Sequence, residues 1–501
     1  MKSRAAIHNS YWLQHTPRDR NYPQLVDTYR SDVAIVGAGI TGLSIALELL
    51  ERGHSVAIYE AGELGSGTTS GSTGHLDAHP EIGCSPLIKK LGIELAREYV
   101  AMRRNAIEAI ASRAGDHCDL ARIRAYQYSE RVSDEDALRY EFEAAHTIGL
   151  DARWEDDFEV PHMRTGYSLS SMGRINSYAY LQRLAELVTR KGGVIFERSQ
   201  VGFIAETHPT SIKAGQGTAI FDQLVCAVHS NYTDSMRIDL QIPAFQSYAI
   251  VAQVLDAIPD QLMWDNSQPY FYTRRVDSRE PRKLLVGGCD HRTGIGDTTA
   301  HMAELEKYLR DRYRVEAMIH QWSAELFEPT DGMPLIGLVP GKKNVWIATG
   351  LSGVGLTQGT AAGWIIADQI EGRTTPLNDQ FSPSRFSMSG MGSMMSEHAK
   401  SIPDYAERVL PARGVDPASL QPGEGAVGMV DHQHVAICRD QQGKLHQRSP
   451  ICKHMGGVVR WNAVEKTWDC PVHGGRYAQC GARLYGPPEQ GLDRLPDRTE
   501  D

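Results

Sequence analysis

Val33-Ala34-Ile35-Val36-Gly37-Ala38-Gly39-Ile40-Thr41-Gly42 joins a short apolar run to a glycine turn and the start of an amphipathic stretch. Four apolar residues in succession suit a strand buried on both faces. Positions 40–52 suit a helix, with Leu43, Ala46, Leu47 and Leu50 on its apolar face and Gly53 as its stop. A second strand is expected over 55–59, and it ends in Glu60, eighteen residues after Gly42. A lone G-x-G-x-x-G is equally a glycine-rich turn. Strand, turn, helix and strand in this order instead make a dinucleotide-binding βαβ unit. Gly37 and Gly39 would let the backbone approach a pyrophosphate at the helix start, Ile40-Thr41-Gly42, and Glu60-Ala61 would meet the ribose hydroxyls. The run 33–47 is uncharged, but it is too short for a membrane span and three glycines interrupt it.

Near the other end, Cys452-Lys453-His454 is followed, after fifteen intervening residues, by Cys470-Pro471-Val472-His473. Zinc sites also use two cysteines and two histidines, but they usually pair like with like. Here each loop carries one of each, which suits a Rieske 2Fe-2S cluster, with the thiolates of Cys452 and Cys470 on one iron and the imidazoles of His454 and His473 on the other. Gly456-Gly457 and Gly474-Gly475 would permit backbone approach to the cluster sulfurs. The segment resembles Rieske domains, whose loops read C-T-H-L-G-C and C-P-C-H-G-S. Gly457 and Val472 stand where the respiratory members carry a disulfide, and Gly475 replaces a serine that would donate to sulfur. The resemblance is therefore to soluble, ferredoxin-like or oxygenase-associated domains of lower potential, with Tyr477 as the remaining hydroxyl donor.

The chain has 501 residues, enough for two or three domains, and its 52 basic and 62 acidic residues sum to −10. No basic stripe is present, which argues against a nucleic-acid partner. The cysteines at 84, 118, 226, 289, 438, 452, 470 and 480 lack a disulfide-framework spacing, and the first residues lack an apolar signal segment. A cytoplasmic protein without a membrane anchor is the expectation. Cys480 is expected to be a small buried residue and not a ligand.

Behind the Glu60 strand, Gly65-Ser66-Gly67-Thr68-Thr69-Ser70-Gly71-Ser72-Thr73-Gly74-His75-Leu76 is a hydroxyl-rich loop that a nicotinamide-binding unit does not need. It resembles the FAD-binding loop of the D-amino-acid-oxidase-like (DAO) flavoproteins, the class of the sarcosine, glycine and gamma-glutamylputrescine oxidases. Further segments resemble the same class. They are Ser10-Tyr11-Trp12-Leu13 with Tyr22-Pro23, Gly173-Arg174-Ile175-Asn176 with Gly192-Gly193, Asp331-Gly332-Met333-Pro334, and Val345-Trp346-Ile347-Ala348-Thr349-Gly350. The resemblance implies FAD held by Gly67, Thr68, Thr69, Ser70, Gly74, His75, Leu76, Val201, Gly350, Gly353, Gly355, Leu356 and Thr357, besides the residues of the first turn. A helix over 356–370 would point its positive end at the flavin ring.

These readings imply an α/β flavin domain of Rossmann type with a mixed-sheet substrate domain, followed by an all-β Rieske domain. The expected parts are an N-terminal arm over 1–30, the flavoprotein over 31–375 with insertions near 86–165 and 240–322, a methionine-rich linker over 376–418, and the Rieske domain over 419–501. Residues 86–146 read as largely helical, 245–254, 270–275 and 283–288 as strands, and 301–315 as a helix. Tyr270, Tyr272, Arg274 and Arg275 alternate along one strand, as a half-buried strand with solvent arginines or as a pocket roof in which an arginine pairs with a substrate carboxylate. His75 and His79 with Glu81 fit a flavin-side loop better than a metal site, and no motif for covalent flavin attachment at His75 is evident. The expected function is oxidation of a small amine or N-methyl amino acid, with electrons leaving through the cluster to a one-electron acceptor such as ferredoxin. A reductase whose cluster feeds FAD for a partner protein is the alternative. A Rieske oxygenase would need a mononuclear iron motif that is absent.

Overall fold

Val33–Val36 is a wholly buried strand, and its burial follows from its place in the sheet. In a six-stranded sheet it lies between Gln223–His229 and Val56–Tyr59, parallel to both. Val194–Phe196 extends the sheet on one side, and Val345–Thr349 with the antiparallel Leu335–Leu338 extends it on the other. A strand covered on both faces has no solvent side, so it reads as a continuous apolar run. The structure, a computed structural model, describes residues 9–156, 162–267, 269–385 and 413–495. The expected methionine-rich stretch 386–395 lies outside them.

The helix after the glycine turn runs Ile40–Glu51 and packs against a second helix, Gly355–Ile370. The approach is close because Gly359 and Gly363 face it. A Cβ on either would lie 2.6 Å from Thr41 Oγ1 or 2.9 Å from Ser44 O. Residues 376–385, expected within the linker, include the helix Pro376–Phe381, capped by Thr375, with Phe381 buried.

A nine-stranded mixed sheet forms the second layer. Its strands include Ala244–Val254, Phe271–Arg275 and Lys283–Arg292, near the expected positions. Two of its members depart from expectation. Ala121–Ser129 is a strand inside the region read as helical, paired with Thr165–Arg174, and Val315–Phe327 is a thirteen-residue strand that follows the helix Thr298–Arg312. The Rieske part has a three-stranded sheet (Gly425–Val430, Gln433–Arg439, Leu445–Arg448) and a four-stranded one (Arg460–Asn462, Thr467–Asp469, Arg476–Ala478, Arg483–Tyr485). Among the described residues no helix is long and apolar enough to cross a membrane.

Candidate functional site

A cleft of about 1640 Å³ runs from the carboxyl ends of the parallel strands to the mixed sheet. That exceeds the roughly 300–1,000 Å³ of a pocket for one drug-sized ligand, and suits a dinucleotide with a substrate beside it. Gly37, Gly39, Ile40, Thr41, Glu60, Ala61, Gly67, Thr68, Thr69, His75, Val201, Gly353, Gly355 and Leu356 line it. Gly37 adopts φ +101°, and a Cβ there would meet the Ala227 carbonyl oxygen at 2.6 Å. Glu60 accepts from the Ala38 and Gly62 amides at 3.0 and 2.8 Å, which holds its carboxylate beside the turn.

The other expected contacts stand behind this wall. Gly42 gives room to the turn itself, since a Cβ there would overlap the Gly37 carbonyl. Ser70 turns its hydroxyl back to the Gly65 and Gly67 carbonyls. Leu76 and Thr357 are buried in the core, Gly74 packs on the Ile175 carbonyl, and Gly350 packs on Pro329.

Toward the mixed sheet the cleft is lined by His75, Asp77, Glu81, Tyr270, Tyr272 and Asp290. His75 stands edge-on to Tyr272 at 5.0 Å, and burial, aided by the Arg274 charge, holds its imidazole neutral. His79 turns away toward Tyr167, so the two histidines do not converge. The ligand atoms of His79, Cys84 and Glu141 lie within 4.8 Å of one another, but the Glu141 carboxylate is held by the Cys84 and Ser85 amides. Glu81, exposed in the cleft, sits at the start of the Gly355–Ile370 helix, accepting from the Gly353 amide at 3.2 Å. A carboxyl therefore occupies the helix end that was expected to present bare positive potential.

Two expectations need correction. Arg274 is completely buried away from the cleft and donates to the carbonyls of Thr73, Arg275 and Val276. Arg275 reaches the Ser278 carbonyl and Asp260. Neither lines the cleft: Arg274 shares the strand face of Tyr270 and Tyr272, but the carbonyls of residues 73, 275 and 276 take up its guanidinium, and Arg275 is on the opposite face, where Ser278 and Asp260 meet it. Cys480 also departs from expectation, being exposed.

The four metal-ligand candidates meet at the end of the Rieske sheets. Two matching turns carry them, closed by Cys452 N–H to Gly457 O (2.9 Å) and Cys470 N–H to Gly475 O (2.8 Å). The His454 and His473 rings are 4.9 Å apart, and His454 Nδ1 is shielded without a hydrogen-bond partner, as a metal-binding nitrogen would be. This donor set fits a 2Fe-2S unit. Val472 fills the place of the missing disulfide, where a Cβ on Gly457 would lie 2.4 Å from its Cγ2. Gly475 lies next to Cys452 sulfur, and the Tyr477 hydroxyl donates to that sulfur at 3.1 Å. Tyr477→Phe is expected to lower the cluster potential by roughly 60 mV, a tenfold shift for one electron, because the reduced cluster loses the donor that favours its extra charge. Potentiometry followed by EPR measures the shift.

Sequence reading did not foresee how the two parts meet. The turn at 470–475 packs on the flavin part: a Cβ on Gly474 would lie 2.7 Å from Ala244 Cβ and 2.5 Å from Glu325 Oε1, and Asn462 donates to Gln246 at 3.2 Å. Ser323 donates to Glu465 through its amide and its hydroxyl. Arg483, Leu484, Tyr485 and Gly486 of the Rieske part line the same cleft as Gly37 and Thr68. Glu325, 3% exposed, lies at this seam with the Thr293 hydroxyl beside its carboxylate, and burial drives its pKa well above the carboxylate range.

The FAD dependent oxidoreductase (DAO) family profile matches residues 32–369, and the Rieske [2Fe-2S] domain profile matches 415–496. YhfW of Bacillus subtilis (strain 168), provisionally named a Rieske 2Fe-2S iron-sulfur protein, is 26% identical over 495 residues, 97% of each chain. Gamma-glutamylputrescine oxidoreductase of Escherichia coli (strain K12) is 23% identical over 73% of this chain and 89% of its own. The crystal structure of glycine oxidase from Geobacillus kaustophilus superposes with a TM-score of 0.59 at 21% identity, covering 72% of this chain and all of that one, a likeness of fold. With two thirds of its length matching one profile and the cluster loops lying within the other, the chain belongs to the DAO family of FAD-dependent oxidoreductases and carries a C-terminal Rieske 2Fe-2S domain.

Proposed function

We propose that this oxidoreductase dehydrogenates a C–N bond of a small amine or N-methylated amine and passes the electrons, through its own cluster, to a one-electron acceptor such as ferredoxin in the cytoplasm. A bound FAD would supply a hydride acceptor for the carbon beside nitrogen, and a bound 2Fe-2S cluster would supply a one-electron relay. Gly37, Gly39, Ile40, Thr41 and Glu60 would hold the nucleotide half of FAD, and Thr68, Thr69, His75, Gly353 and Leu356 the ring half. Cys452, His454, Cys470 and His473 would hold the cluster. Tyr270 and Tyr272 wall the substrate beside His75, whose imidazole is held neutral and so adds no positive charge against an amine.

The observation that carries this reading is the shared cleft wall. Strand Arg483–Tyr485 of the Rieske part and the turn of Cys470 and His473 lie against the flavin part, so transfer within one chain needs no docking step. Similarity to gamma-glutamylputrescine oxidoreductase and glycine oxidase supports a C–N substrate. The test is anaerobic addition of secondary amines, betaines and imino acids while flavin bleaching and the cluster EPR signal are followed. Bleaching followed by the signal of the reduced cluster is the expected result. Reduction by ferredoxin or NAD(P)H but by no amine would replace this reading with the reductase one.

A further inference from the structure

The substrate end of the cleft carries the opposite charge from the one a carboxylate would need. Asp77, Glu81 and Asp290 line it. Asp77 is answered by Arg103 at 3.1 Å, and Glu81 by the Gly353 amide. Asp290 lines the cleft, its Oδ2 accepting from the Tyr270 hydroxyl at 3.1 Å with the Ser247 hydroxyl also beside the carboxylate, and among the described residues no cationic side chain stands against it. The cations at this end are occupied or peripheral: Lys90 and Arg385 both bind Asp331, and Lys89 is exposed at the rim. Tyr270 and Tyr272, their rings 6.0 Å apart, present aromatic surface beside Asp290. A cleft-lining carboxylate answered by hydroxyls but by no cation, next to aromatic rings, is a receptor for an ammonium group.

We infer that the substrate is a diamine, or an amine with an equivalent second cationic nitrogen, and that its remote ammonium binds between Asp290 and the rings of Tyr270 and Tyr272. The inference rests on the proposed C–N dehydrogenation and narrows its substrate class. A primary end R–CH2–NH2 would lose a hydride to FAD and a proton to base, leaving the imine R–CH=NH, which water converts to an aldehyde and ammonia. The remote ammonium takes no part in bond breaking and anchors the chain. Burial raises the Asp290 carboxyl only to about 6, so it is ionised and able to pair at pH 8.

The experiment uses the holoenzyme under anaerobic conditions and compares 1,4-diaminobutane, butylamine and 4-aminobutanoate, which share a four-carbon chain and carry a cation, no charge and an anion at the remote end. The diamine is expected to bleach the flavin at concentrations about tenfold or more below those needed for butylamine, the scale of one charge-assisted contact, and 4-aminobutanoate is expected to be poorer still. In Asp290→Asn the diamine advantage should shrink to within about twofold. Tetramethylammonium, which cannot react, should perturb the flavin spectrum of the wild type and not that of Asp290→Asn. Equal or better bleaching by 4-aminobutanoate, or a diamine preference that survives in Asp290→Asn, would overturn the inference while leaving C–N dehydrogenation standing. Failure of every amine, whatever its charge, would overturn both. The wild-type comparison decides the point even if the variant does not fold.

Discussion

Cys470→Ser is expected to remove the 2Fe-2S EPR signal and to cut turnover with a protein one-electron acceptor by on the order of 100-fold or more, while substrate still bleaches the flavin. A second-sphere change at a metal site already costs roughly 10–100-fold, and losing a thiolate ligand removes more. Cys470 is 2% exposed and its turn is packed on Ala244 and Glu325, so no outside thiol can replace it. The flavin half should survive because the core under the nucleotide turn, with Ile40 and Leu356, shares no residue with the core around Cys452 and Cys470. The checks are EPR, single-turnover flavin bleaching, and steady-state reduction of ferredoxin. An acceptor rate that does not fall would mean that electrons leave the flavin without the cluster.

Gly37→Val is expected to yield protein that folds but purifies without FAD. The residue sits at φ +101°, where a β-branched side chain is strained by about 1–3 kcal/mol. Its Cβ would also press on the Ala227 carbonyl at 2.6 Å, and relieving such overpacking costs a further 1–3 kcal/mol or so. If both costs fall on the bound state, FAD affinity drops by roughly 30-fold to 10⁴-fold, at 1.4 kcal/mol per decade. Gly53→Ala is the control. That glycine also has positive φ, +91°, but nothing lies within 4 Å of its Cβ, so it should lose some stability and keep its flavin. Flavin-to-protein ratio and fluorescence titration separate the two outcomes, and circular dichroism checks the fold.

What was legible beforehand follows from how local each signal is. The turn at 37–42 and the cysteine–histidine loops put their chemistry within a few residues, so spacing alone brings the groups together. The strand Ala121–Ser129 was misread as helix although Arg122, Ile123, Arg124 and Ala125 alternate with period two, because charged helices flank it. Arg274 was misassigned because sharing a strand face with Tyr270 and Tyr272 does not show what meets the end of its side chain. Its guanidinium is taken up by the carbonyls of residues 73 and 276, the first of them two hundred positions away. Asp290, Glu325 and the cleft contribution of Arg483–Gly486 left no sequence mark, since each matters only through partners far along the chain. Their chemistry comes from tertiary burial, which a motif does not encode.

The seating of Cys470 and His473 against the flavin part sets a chronology for the newly made chain. Pro471 through Gly475 are all buried, and Glu325, Ala244 and Gly294 close over that turn. An assembly factor delivering iron and sulfide must reach all four ligands from outside, and this seam covers two of them. Cluster delivery is therefore expected to precede closure of the seam, so that the order of maturation is iron–sulfur first and domain docking second.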